Sequence, residues 1–279
     1  MEDKKLLTLG HSPDPDDAFM FYALNSEGAI DTKGYKFEQI LHDIQTLNEM
    51  AIDEKLDITA ISLAAYPTIA DKYAVLSSGA SMGYKYGPVV VAKEEMSISK
   101  LKNKLIAVPG TLTSAYLELR LILGKDLNIK VIPFDKIFEA VESGEVDAGL
   151  IIHEGQLTYS KRNLKKIIDL GEWWFDRTQL PLPLGVNSIH RKFKEDMHSI
   201  SEILKDSILY SLKYRKEAVA YALNFARGMD MSLADKFVGM YVNDLTVDMG
   251  ESGLKACKLL LNEAYDKGLI DSNPEIDLV

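Results

Sequence analysis

One local grammar recurs through the first half of this chain: a short apolar run, a turn of small or capping residues, then a segment with helical spacing. Leu6 to Gly10 reads as a strand, Ser12-Pro13-Asp14-Pro15-Asp16-Asp17 as a turn, and about Ala18 to Leu24 as a helix. Tyr35 to Leu41 and Leu56 to Ile61 read as strands, each followed by helical spacing, at Ile44 to Glu54 and from Ser62 to about Tyr73. Pro88 to Ala92 is a further strand-like run. Strands that alternate with helices need a largely parallel sheet with helices packed on it, so the fold class is α/β.

A second block repeats the grammar. Leu105 to Val108 turns through Pro109-Gly110-Thr111 into a helix near Thr113, Lys130 to Pro133 reads as a strand, Ile137 to Ser143 as a helix, and Ala148 to Ile152 as a strand. From about Ile200 to Ala226 the spacing becomes that of long helices, with further ones from Ser232 and from Gly253 to Gly268. No linker separates the blocks, so boundaries fall in structured crossovers near Ala92 and Gly185. The expected division is a larger, discontinuous domain of residues 1–92 plus 186–279 and a smaller one of residues 93–185.

With 279 residues, 47% of them hydrophobic, the chain can bury a sizeable core. No stretch approaches the roughly 20 apolar residues of a membrane span, and Met1 to Leu9 passes from charged residues into a strand-like run without a signal-peptide core. A cytoplasmic protein that neither inserts in nor binds a membrane is expected. The net charge of −10 argues against nucleic acid, and Lys161, Arg162, Lys165 and Lys166 read as a solvated face without interleaved aromatics. The single Cys257 excludes an internal disulfide and falls at a helical spacing that suits a packed thiol.

Three constellations bear on chemistry. Gly149-Leu150-Ile151-Ile152 ends in His153-Glu154, at the carboxyl end of an expected strand, where α/β sheets place their ligands. His153 is then either a working group or a satisfied histidine at a strand end. Thr111, Thr113 and Ser114 lie where a strand meets a helix, so they read either as an ordinary cap or as a cradle for a carboxylate or phosphate. The Ser12 to Asp17 turn reads as capping. His11 with Asp14, Asp16 and Asp17 is a weak metal pattern, and no metal is expected. The Gly-Lys-Ser/Thr end of a phosphate-binding loop and a Gly-x-Gly-x-x-Gly fingerprint are both missing, which disfavours nucleotide chemistry. Trp173-Trp174-Phe175 reads as core before it reads as a ligand wall, and Leu180-Pro181-Leu182-Pro183 as a stiff interdomain crossover.

Taken together, these residues resemble the 1,4-dihydroxy-6-naphthoate synthases of the futalosine route to menaquinone. The similarity runs nearly end to end: Ser12-Pro-x-Pro-x-Asp17 with Phe19-x-Phe21-Tyr22-Ala23-Leu24, Asp43-x-x-Thr46-Leu47-Asn48, Gly87-Pro88, Val108-Pro109-Gly110, Thr113 to Tyr116, Gly149 to Glu154, Leu180 to Gly185, Tyr241-Val242-Asn243, and Asp248-x-Gly250-Glu251. The resemblance implies a two-domain, periplasmic-binding-protein-like fold of type II with the ligand cleft between the domains. It implies a lyase that cleaves cyclic dehypoxanthinyl futalosine to release dihydroxynaphthoate without a cofactor. His153 would be the general base, and Ser12, Asp17, Ser62, Thr111, Thr113, Ser114 and Pro183 would contact the substrate. The family turn usually reads Ser-Pro-Cys-Pro-Asn-Asp-Thr, whereas this chain carries Asp14, Asp16 and Ala18 in place of the Cys, Asn and Thr. Two other readings stand beside it: a cytoplasmic solute-binding or sensor protein for a small carboxylate, and the related chorismate dehydratase, whose motif lacks Ile-Ile-His-Glu. The expected partner is a small-molecule substrate, and a homodimer through the C-terminal helices stays open.

Overall fold

The structure, a computed structural model, describes residues 4–226 and 229–279. Its strands in chain order are β1 (Lys5–His11), β2 (Tyr35–Leu41), β3 (Ile58–Ser62), β4 (Tyr73–Val75), β5 (Ser81–Gly83), β6 (Val89–Ala92), β7 (Ile106–Val108), β8 (Ile129–Val131), β9 (Ala148–Ile151), β10 (Lys165–Asp169) and β11 (Leu182–His190). The helices are α1 (Pro15–Met20), α2 (Ile44–Ile52), α3 (Ile98–Leu101), α4 (Ser114–Leu123), α5 (Ile137–Ser143), α6 (Leu170–Thr178), α7 (Met197–Lys213), α8 (Arg215–Ala222), α9 (Met231–Tyr241), α10 (Asp244–Val247) and α11 (Gly250–Asp266).

Two sheets divide the strands. The first has the order β2-β1-β3-β11-β4, with β5 also paired to β11; β1, β2 and β3 are parallel and β11 runs against its neighbours. The second has the order β10-β6-β9-β7-β8, parallel from β9 to β8 and antiparallel from β10 to β9. The chain therefore leaves the first sheet between 84 and 88 and returns to it between 179 and 181. Both crossovers precede the boundaries expected from the sequence. β6 pairs with β9 in the second sheet instead of closing the larger lobe at Ala92, and Leu182 to Gly185 pair in the first sheet instead of ending the smaller lobe.

At the crossover a Cβ on Gly171 would stand 1.9 Å from the Tyr86 carbonyl oxygen and one on Gly87 would stand 2.9 Å from the Gly171 nitrogen. Only glycines allow the start of α6 to lie directly on the strap between the lobes. One hydrophobic core is continuous through both lobes, including Ile61 and Val186 from the first sheet, Val90, Val108 and Leu150 from the second, and Trp174 and Leu260 from the helices. Trp174 is fully buried and its indole N–H donates to the Pro181 carbonyl at 3.0 Å, so the Trp173 to Phe175 stretch serves packing. Among the described residues no helix is long and apolar enough to cross a membrane.

Candidate active site

The carboxyl ends of β1, β3 and β9, the start of α4 and the inner residues of β11 meet at a cleft of about 750 Å³, open solvent at its mouth included. Five of the residues expected to contact substrate line it: Ser12, Asp17, Ser62, Thr113 and Ser114.

At the α4 end, local hydrogen bonds decide what faces a ligand. Thr113 caps the helix, its hydroxyl accepting from Tyr116 N–H at 3.2 Å and donating to the Gly110 carbonyl at 2.9 Å. The Ser114 hydroxyl donates to the Leu184 carbonyl and accepts from Ala64 N–H at 3.2 Å, tying α4 to the first lobe. Both hydroxyls are thus engaged by the protein. What α4 offers the cleft is its positive end and the first-turn N–H groups of Ser114 and Ala115, which no carbonyl within the helix accepts. Beside them Ser62 is fixed by Asn48: Asn48 Nδ2 donates to its hydroxyl at 3.1 Å, and its N–H donates to Asn48 Oδ1 at 2.8 Å. The Ser62 hydroxyl keeps its own proton for a ligand.

The Ser12 to Asp17 turn lines the cleft from the first lobe. Ser12 N–H donates to Asp17 Oδ2 at 2.8 Å and the Ser12 hydroxyl to Asp14 Oδ2 at 3.0 Å. Burial, and then the charges of Asp17 and Asp14, push Asp16 well above the usual carboxylate range. Burial also raises Asp17, against the pull of His11 and the Ser12 N–H. This wall therefore presents two carboxyl groups, Asp16 and Asp17, whose burial disfavours the charged form. His11 is turned away from a metal role, Nδ1 donating to the Ser12 carbonyl at 2.8 Å and Nε2 meeting Gln39 Oε1 at 2.9 Å. Ile44, Ile61, Leu184, Val186 and Phe237 supply an apolar lining, and Tyr241 joins it with its hydroxyl donating to Gln156 Oε1 at 2.7 Å.

Three expected residues lie elsewhere. Thr111 is exposed on the turn before α4 and is absent from the lining. Pro183 is buried in β11 opposite Met82 and is absent from the lining, while its neighbours Leu184 and Gly185 line the cleft. His153 follows Ile152, which lines the cleft, but its ring lies in an adjoining depression with Asp135, Phe138, Glu154, Gly155, Thr158 and Arg162. Phe134 and Phe138 hold the ring edge-on at 5.6 and 5.7 Å between centroids. Gly155 N–H donates to Nδ1 at 3.0 Å, so the neutral ring carries its proton on Nε2, which is buried without a partner. Glu154 is buried too, with Oε2 at 3.5 Å from Nδ1. Asn187, Ile44, Phe237 and Gly79 complete the cleft, and no local motif marks any of them in the sequence.

A family model described as Menaquinone biosynthesis matches residues 7–266. The chain belongs to that menaquinone-biosynthesis family. Within it, the 1,4-dihydroxy-6-naphtoate synthase of Thermus thermophilus is 38% identical over 269 residues, covering 96% of this chain and 97% of that protein. The crystal structure of protein AF1704 from Archaeoglobus fulgidus superposes with a TM-score of 0.88 at 45% identity, covering 95% of this chain and 98% of that one. The alkanesulfonate-binding protein SsuA of Xanthomonas axonopodis pv. citri, solved with MOPS, superposes with a TM-score of 0.72 at 12% identity over 100% of this chain and 99% of its own. That likeness establishes the fold of this menaquinone-biosynthesis family member as the two-lobed, type II binding-protein architecture expected from the sequence.

Proposed function

We propose that this protein is a lyase that cleaves cyclic dehypoxanthinyl futalosine and releases 1,4-dihydroxy-6-naphthoate. The observation that carries the reading is the polarity of the cleft. Backbone N–H groups at the start of α4 suit a carboxylate, the carboxyl groups of the first-lobe turn suit hydroxyls, and the apolar lining suits a ring system. The full-length relative from Thermus thermophilus supports the same product.

His153 is the proposed general base. Its unprotonated nitrogen is Nδ1, now held by Gly155 N–H. A turn of the ring past Ile152 frees that lone pair to take the proton of the substrate hydroxyl next to the bond that breaks. Glu154 Oε2 lies 3.5 Å from Nδ1.

The test is incubation of the purified chain with cyclic dehypoxanthinyl futalosine, with dihydroxynaphthoate followed by chromatography and mass, beside His153→Ala. Product from the wild type and loss of about 100-fold or more in the variant, with substrate affinity kept, is expected. Full activity in His153→Ala overturns the base assignment. Binding without product from the wild type supports the solute-binding or sensor reading in its place.

A further inference from the structure

Asn187 on β11 lines the cleft, is 1% exposed, and has neither Oδ1 nor Nδ2 in a hydrogen bond. Its backbone is satisfied, the carbonyl accepting from Leu76 N–H at 2.8 Å, so the orphaned groups belong to the side chain alone. Leaving a buried amide unpaired costs folding free energy, and an apolar residue of the same size would avoid that cost. The surroundings nevertheless make room for the amide. Gly79 lies against it with φ +84°, and a Cβ there would stand 1.9 Å from Nδ2. In register, Asn187 faces Ala60 on β3, another small residue of the cleft lining.

Its place along β11 sets it apart from the α4 end. Leu184, whose carbonyl holds Ser114 at the α4 end, is three residues back along β11, roughly 10 Å away at the strand rise. Gly10, Thr59 and Ser188 pair across three strands, and Asn187 is one step from that row, at the level where β1 passes into the acidic turn. Asn187 therefore stands in the first-lobe wall of the cleft, level with the end of β1 and apart from the Leu184 tie to α4.

We infer that Asn187 reads a pair of hydroxyls on the substrate, Nδ2 donating to one hydroxyl oxygen and Oδ1 accepting from a neighbouring hydroxyl. This rests on the proposed lyase reading. A site built around such a pair discriminates strongly against a molecule that lacks the hydroxyl, because the amide is then left unpaired.

The experiment compares wild type, Asn187→Leu and Asn187→Asp for melting temperature of the free protein and for kcat/KM with cyclic dehypoxanthinyl futalosine and with its analogue lacking one sugar hydroxyl. Asn187→Leu is expected to melt at or above the wild-type temperature, to lose about tenfold or more in kcat/KM, and to lose the wild-type preference for the hydroxylated substrate. Asn187→Asp, which keeps the size but turns a donor into an acceptor, is expected to lose turnover as well. A fall of several degrees in the Asn187→Leu melting temperature together with the same fall in Asn187→Asp shows a structural partner for the amide and overturns the inference. Retained discrimination by Asn187→Leu also overturns it. If the wild type makes no product, the lyase reading fails separately, and the melting comparison still decides whether the amide is held for a ligand.

Discussion

Glu118, on α4, is fully buried with both carboxylate oxygens out of any hydrogen bond. Burial first, and then the charge of Asp169, push it well above the usual carboxylate range, with Arg177 pulling the other way. Asp169 is pushed up to about 6, chiefly by burial, even though it accepts the N–H groups of Gly171 and Glu172 at the start of α6. In both cases the folded chain keeps a proton that the unfolded chain has released, so stability falls as pH rises. For Asp169 the fall begins near 3.8 and ends once pH passes about 6; for Glu118 it begins near 4.5 and continues higher. Glu118→Gln keeps the shape and removes the charge. It should melt above the wild type at neutral pH, by roughly 2–4 °C for each kcal/mol recovered, and the gap should close on acidification below the ordinary glutamate range. Calorimetry across that pH series checks it, and a gap that stays constant with pH would show that Glu118 does not titrate differently in the folded state. Asp169→Asn retains the cap, since Asn accepts from the same N–H groups, and its advantage should appear only as pH climbs toward about 6.

At the scale of elements, the start of α4 is fastened to β11 and to Ala64 through one hydroxyl. Ser114→Ala removes the bonds to the Leu184 carbonyl and Ala64 N–H together, leaving two backbone groups short of a partner. A loss of about 1–3 kcal/mol follows, and with it a raised KM as the N–H groups of α4 shift from the cleft. Thermal melting and steady-state kinetics check both, and an unchanged melting point sinks the tie. The same element shows what the sequence could reveal. The α4 start, β3, β6 and β9 are legible because buried strands are continuous apolar runs and Thr113 is a capping residue at a strand-to-helix turn. β10 is not legible, because Lys165 and Lys166 are exposed on a sheet edge, where charge is what keeps an edge from pairing and what makes it read as a solvated face. β11 is hidden by Pro183, which sits where the pairing with β5 is irregular and an absent N–H costs least. Site contacts follow the same logic. Leu184 lines the cleft while its motif neighbour Pro183 does not, and the unpaired state of Asn187 exists only once β11, Gly79 and Ala60 are packed together.

The whole molecule is tied shut on more than one side of the cleft. Leu112 N–H donates to Gln45 Oε1 at 2.9 Å, and Tyr241 reaches Gln156 across the opening. Behind it α11 is fastened to the second lobe by Arg177 on Glu263 at 2.6 Å and by Arg120 donating to the Leu269 carbonyl at 3.1 Å. A ligand enters by parting the front ties, while the core through α11 stays packed. Cys257 distinguishes the two kinds of opening. It is the chain's single cysteine, 1% exposed on α11 within the core shared by both lobes, and burial pushes its thiol up to about 12. Alkylation needs a thiolate with access to reagent, so lobe opening alone should leave Cys257 unmodified, and labelling should proceed only at the rate of global unfolding. Tyr241→Phe, which cuts a front tie, should bind and release ligand faster yet label no faster than wild type. Saturating substrate should slow labelling further, because it binds only the folded chain. Iodoacetamide modification followed by intact mass, beside unfolding rates from circular dichroism, makes the comparison. Rapid, complete labelling of the native protein would mean that α11 leaves the second lobe when the cleft opens, and that the molecule hinges behind the site as well as in front of it.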